Sequence, residues 1–132
     1  TTNGNSTISG STTFNNLTIT DTVAKTVSFV HATTTTVSGT WTVTGAAGQL
    51  VTLTRDNTSA WNVNPTTASV DYVDVSYSNN TGAAICATHS VSTNGGNTNW
   101  TVSAGATCGV TISGTVYQTS NESTVFDCNA VH

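Results

Sequence analysis

Apolar and small polar side chains alternate along most of this chain. The alternation is clear in Phe14-Asn-Asn-Leu-Thr-Ile-Thr20, Thr26–Val30, Thr40–Thr44, Leu50–Thr54, Ala60–Val63, Tyr72–Ser76 and Val110–Ser113. A period of two is that of a strand with one buried face. Clusters of Gly, Asn, Ser and Asp interrupt these segments at Asn3–Asn5, Gly45–Gly48, Asp56–Ser59, Ser78–Gly82 and Asn94–Asn97, where turns are expected. Good helix formers are scarce, and β-branched and aromatic residues take their place. The fold class is therefore all-β. In phase, Val27, Phe29, Trp41, Val43, Leu53, Trp61, Val63, Val73 and Val75 form the expected core, with Tyr77 also pointing inward.

Two all-β architectures fit many short strands. A sandwich favours hairpins with two-residue turns, yet no Asn-Gly or Asp-Gly pair lies directly between two strand segments here. The strands group instead into triplets over 17–38, 41–63 and about 72–102, with Leu17, Val43 and Val73 at spacings of 26 and 30 residues. Such periods suit a parallel stack with unequal loops. Three stretches carry a resemblance: Phe14–Thr20; Thr36-Val-Ser-Gly-Thr-Trp-Thr-Val-Thr-Gly45; and Tyr72-Val-Asp-Val-Ser-Tyr-Ser78 with the later Asn94-Gly-Gly-Asn-Thr-Asn-Trp100. Over roughly residues 14–102 the chain resembles the Thr/Gly-rich right-handed parallel β-helix repeat proteins of bacterial surfaces. Val110–Tyr117 resembles the first strand of the Ig-like modules that often follow them. The resemblance implies a secreted protein with a short right-handed parallel β-helix of about three coils. The alternative is a jelly-roll or Ig-like β-sandwich with a donated terminal strand. The expected organisation is an N-terminal extension (1–13), a β-domain (14–102) and C-terminal strands or a hairpin (103–132).

Composition narrows the function. Thr, Ser and Asn fill 60 of 132 positions, and only eight residues are charged. Two cations, Lys25 and Arg55, make no phosphate-binding face, so nucleic acid is excluded as a partner. No apolar run approaches the roughly 20 residues that span a bilayer as a helix. Cys86, Cys108 and Cys128 have no metal-site spacing and are disulfide candidates in an oxidising, extracellular setting. If Ile85 and Ala87 point inward, Cys86 points outward, where Cys108 can reach it, leaving Cys128 over. The pairing stays open at this point. The chain opens at Thr1 without a basic-apolar leader, which reads as a processed form. Asn5, Asn16, Asn57, Asn79, Asn99 and Asn121 stand in Asn-x-Ser/Thr triplets and are possible glycan acceptors.

The residues make a poor enzyme. Asp71 and Asp74 are the closest carboxylates, but their odd separation on a regular strand puts them on opposite faces, whereas a glycosidase pair flanks one bond. Ser90 follows His89, and neighbours on a strand also diverge. No cofactor is expected. A sugar-stacking platform is the competitor, drawn from Trp41, Trp61, Trp100, Tyr72, Tyr77 and Tyr117, although alternation turns Trp41 and Trp61 inward and leaves Tyr72 and Tyr117 free. A short stack has two open ends, and natural proteins cover such edges. The functional expectation is therefore a self-assembling, non-enzymatic subunit of a secreted filament, pilus-like fibre or surface layer. Ile8, Val110, Ile112, Val116, Val125 and Phe126 are its expected intersubunit anchors. The chain itself is the expected partner, glycans the second; a carbohydrate-binding adhesin module is the alternative function.

Overall fold

The computed structural model describes residues 4–109. These form eleven strands: β1 (Ser6–Ile8), β2 (Thr12–Phe14), β3 (Leu17–Thr20), β4 (Lys25–Phe29), β5 (Thr34–Thr44), β6 (Val51–Arg55), β7 (Trp61–Asp71), β8 (Val73–Val75), β9 (Ser78–Asn80), β10 (Ile85–Thr88) and β11 (Trp100–Val102). Every ladder between these strands is parallel. One sheet has the order β1-β4-β6-β8; the other runs β11-β10-β7-β5-β2, with β3 also on β5 and β9 on β7. The long strands β5 and β7 serve two tracks each. Thr34–Val37 pairs with Asn62–Pro65, the register breaks, and Thr40–Thr44 resumes against Thr67–Asp71. The chain thus passes repeatedly through three strand tracks, each pass pairing with the one before.

This pairing settles the class as all-β with parallel sheets, and it differs in detail from the sequence expectation. Jelly-rolls and Ig-like sandwiches are antiparallel; here the one antiparallel contact among the described residues is the isolated bridge Ala46–Gln49. The triplets were phased wrongly. Leu17 pairs with Trp41, Ile19 with Val43, and Val73 lies in the other sheet against Val51. Of the expected N-terminal extension (1–13), residues 6–8 form β1 and residues 12 and 13 begin β2, paired with β4 and β5 of the same chain.

Inward side chains from the three tracks form one core. All nine expected core residues are buried, and Val37, Val51, Val70, Ile85 and Ala87 join them. At its centre Phe29 stacks on Trp61 with centroids 4.0 Å apart, and Trp41 meets both edge-on at 6.4 Å. Trp100 abuts Trp41 edge-on at 5.9 Å. Such aromatic pairs add to simple area burial.

Corners make the returns possible. Ala32, Tyr72, Tyr77, His89 and Asn99 all have positive φ between 44° and 60°, a conformation uncommon outside glycine. Side chains at corners also bond the next pass: Asn5 Oδ1 accepts from the Thr26 N–H, Asn16 Oδ1 from Thr40, and Asn97 Oδ1 from Ser78. At Gly39 a Cβ would lie 2.3 Å from Asn16 Oδ1 and 2.5 Å from the Asn15 carbonyl, so that corner requires glycine.

The two fully buried tryptophans differ in one respect. Trp61 Nε1 donates to the Ser76 carbonyl at 2.9 Å, whereas Trp41 Nε1 is buried without a partner. An unpaired buried donor costs about 1–3 kcal/mol, and a lost hydrogen bond about 1 kcal/mol. Trp41→Phe is therefore expected to destabilise less than Trp61→Phe, by about 1 kcal/mol or more, in urea unfolding followed by circular dichroism.

Candidate functional site

Among the described residues most ionisable side chains gather at strand ends and corners, where they tie one pass to the next; Asp74, in the middle of β8, is the exception. Asp21 and Lys25 lie 3.8 Å apart beside the start of β4. At the β4–β5 corner Asp56 Oδ1 accepts from the His31 backbone N–H at 2.7 Å and meets its Nδ1 at 3.0 Å. One residue earlier, the Arg55 guanidinium covers the Tyr77 ring at 3.4 Å and donates to the Thr58 carbonyl. At the β7–β8 corner Asp71 Oδ1 meets His89 Nδ1 at 2.8 Å and accepts from Thr88 Oγ1 at 2.8 Å. The His89 ring stacks on Tyr72 with centroids 4.7 Å apart.

Two carboxylates titrate below their ordinary range. The His31 backbone N–H is the largest cause for Asp56, with the His31 ring adding to it. For Asp71, burial pushes upward, but the hydrogen bonds from His89 and Thr88 together with the charge of His89 outweigh it. A carboxylate depressed in the folded state stabilises above its unfolded pKa of about 3.9 and loses that contribution as pH falls through the lower folded value. The urea midpoint of the wild type is therefore expected to drop below about pH 4. Asp71→Asn should flatten that drop when midpoints are measured against pH.

Each pair ties one pass to its neighbour, and the adjacent polar side chains have partners of their own. Ser90, next to His89, donates its hydroxyl hydrogen to the Thr88 carbonyl and accepts from the Val73 N–H at 2.9 Å. Asp71 and Asp74 engage separate partners, since Asp74 accepts from the Thr93 N–H at 3.0 Å and from Thr93 Oγ1 at 2.6 Å. No group of three or more His, Cys, Asp or Glu among the described residues could hold a metal. Among the described residues the expected aromatic platform does not assemble. Trp41 and Trp61 are wholly buried, and half-buried Trp100 donates to Ser78 Oγ. Tyr72 is occupied by His89, and Tyr77, expected inward, is turned out under Arg55. The alternation shifts by one between Val75 and Ser76, just before the left-handed Tyr77, so that Ser76 and Ser78 are the buried pair.

Cys86 and Cys108 form a disulfide with Cα atoms 5.7 Å apart. Cys86 points outward on β10 between buried Ile85 and Ala87, and the bond pins the segment after β11 to that strand. Closing a loop of 22 residues stabilises by about 3 kcal/mol in the chain-entropy view. Cys128, Asn121, Tyr117 and the anchors Val110, Ile112, Val116, Val125 and Phe126 lie outside the described residues. Among the other Asn-x-Ser/Thr sites, Asn57 sits in the exposed turn after β6. The side chains of Asn5 and Asn16 cap a neighbouring pass, Asn79 donates to Asn62 Oδ1, and Asn99 donates to the Gly82 carbonyl.

At the two ends of the stack the inward apolar side chains are left half-buried, while Val23 and Val91 are the exposed large apolar residues among those described. At one end β1, β2 and β3 each pair with a single strand, and their inward residues Ile8, Phe14, Leu17 and Ile19 are half-buried. At the other end, among the described residues, β11 pairs only with β10, and its inward Trp100 and Val102 are half-buried. Ile8 thus packs on its own core while also lining an open end. Comparison of the chain with protein-family models, with curated proteins and with solved structures returns no match.

The disulfide gives a direct expectation. Cys86→Ser, or reduction of the wild type, should lower stability by about 3 kcal/mol, read as a lower melting temperature. The β-signal at room temperature should persist, because the core lies on the other side of β10.

Proposed function

We propose that this chain is a secreted, non-enzymatic structural subunit of an extracellular filament, pilus-like fibre or surface layer, folded as a short right-handed parallel β-helix. The observation that carries this reading is the pair of open ends. Among the described residues every strand of the first pass, and β11 of the last, has one neighbouring strand, whereas β4, β5, β6, β7 and β10 have at least two; β8 and β9 are followed only by the single bridges to Val91 and Thr98. Unpaired strand edges recruit further strands. The handedness follows from the strong preference of parallel crossovers for the right-handed turn.

Secretion is supported by the disulfide Cys86–Cys108. Among the described residues no helix is long and apolar enough to cross a membrane. Low charge supports assembly, since copies meet without strong repulsion at a formal net charge of −4. The adhesin alternative finds less support, because among the described residues the aromatic side chains it would need are buried or already stacked within the chain.

Electron microscopy of the purified chain tests the reading. Uniform filaments or sheets are expected at micromolar concentration. Dispersed monomers across protein concentration, pH and salt would overturn it.

A further inference from the structure

The geometry points to direct head-to-tail stacking of copies, with the last pass of one chain seated on the first pass of the next in a defined register. This inference rests on the structural-subunit reading and adds to it the partner, the polarity and the repeat. Its basis is an internal column of side chains on the third track: Ile19, Val43, Val70, Ala87 and Val102 are successive register partners. Val43, Val70 and Ala87 are closed off at 0%, 4% and 0% exposure, whereas Ile19 and Val102 are half-buried. Two residues earlier on the same strands, Leu17 opens a second column on Trp41, and Trp100 ends it on Ile85. The first column is apolar throughout and half-buried only at its ends; in the second Ala68, beside Trp41, is half-buried as well.

A second copy is the occupant that continues both columns. Val102 of one chain then meets Ile19 of the next, and Trp100 meets Leu17. Because all ladders are parallel, two like ends cannot meet without reversing strand direction, while unlike ends extend every track with its polarity kept. Such a contact joins different surfaces and does not close on itself, so it propagates as an open filament. The column has five members, and strands stack about 4.8 Å apart, so each subunit advances the filament by about 24 Å.

The competing occupant is the chain's own tail. Residues 110–132 number 23, and register partners on the third track are 17 residues apart between Val70 and Ala87 and 27 between Val43 and Val70. The tail is thus long enough for one more pass, which would raise the advance to about 29 Å.

The test is helical reconstruction of wild-type filaments, with two variants of the full chain. An axial rise of about 24 Å with strands perpendicular to the axis is expected. Ile19→Lys puts an ammonium group into the junction and should raise the critical concentration by more than about tenfold. Thr18→Lys, one residue away on the exposed outer face, should leave it unchanged. A rise of about 29 Å would overturn direct seating in favour of an interposed tail. Strands running along the axis, or equal effects of the two variants, would overturn end-to-end stacking altogether. Absence of any filament would instead remove the structural-subunit reading beneath it. If Ile19→Lys fails to fold, the wild-type rise alone decides.

Discussion

Parallel backbone pairing between one pass and the next is the interaction on which this structure depends. Each pass satisfies its amide and carbonyl groups only by lying in register on its neighbour. A parallel neighbour cannot be reached by a two-residue hairpin, so the chain must turn three corners before it returns. That requirement explains the left-handed residues, the glycine at position 39 and the Asn, Ser and Asp side chains that bond across passes. It also explains the inward columns, because registered strands place like-facing side chains directly above one another.

Much of this was legible in the sequence, and the failures have one cause. Alternation identified strands and core faces because it reports on local geometry, and it located Trp41, Trp61 and the valines around them. It could not report where a strand bends without losing its extended form. β5 and β7 carry two tracks each through a register break, so spacing arithmetic that counted one strand per segment grouped the passes incorrectly. Tyr77 was misplaced for a related reason. Nothing in a tyrosine announces positive φ, and at this corner the buried positions pass from Val73 and Val75 to Ser76 and Ser78 before returning to Ile85 and Ala87.

The corner chemistry was harder to see. His31 and Asp56 are 25 residues apart, and His89 and Asp71 are 18 apart; only the register brings each pair to one corner. Neither pair has a sequence signature, since the spacing depends on the length of the pass between them. The disulfide was the more tractable case. Outward Cys86 followed from its neighbours, and the remaining question was which partner could reach it. The open ends were read from length rather than pattern, and Ile8 proved to belong to the first pass of its own chain as well as to an exposed end.

Charge among the described residues is concentrated at corners, with Asp74 in the middle of β8 the exception, and this has a consequence for the sides of the stack. Between the corners the outward positions carry hydroxyl and amide groups in registered rows, such as Thr18, Thr42 and Ser69, or Thr7, Ser28 and Thr54. Rows of neutral donors and acceptors have no long-range field for ions to screen. Bundling of such stacks side by side would be governed by water activity and temperature, and would be nearly indifferent to ionic strength from fresh water to brine.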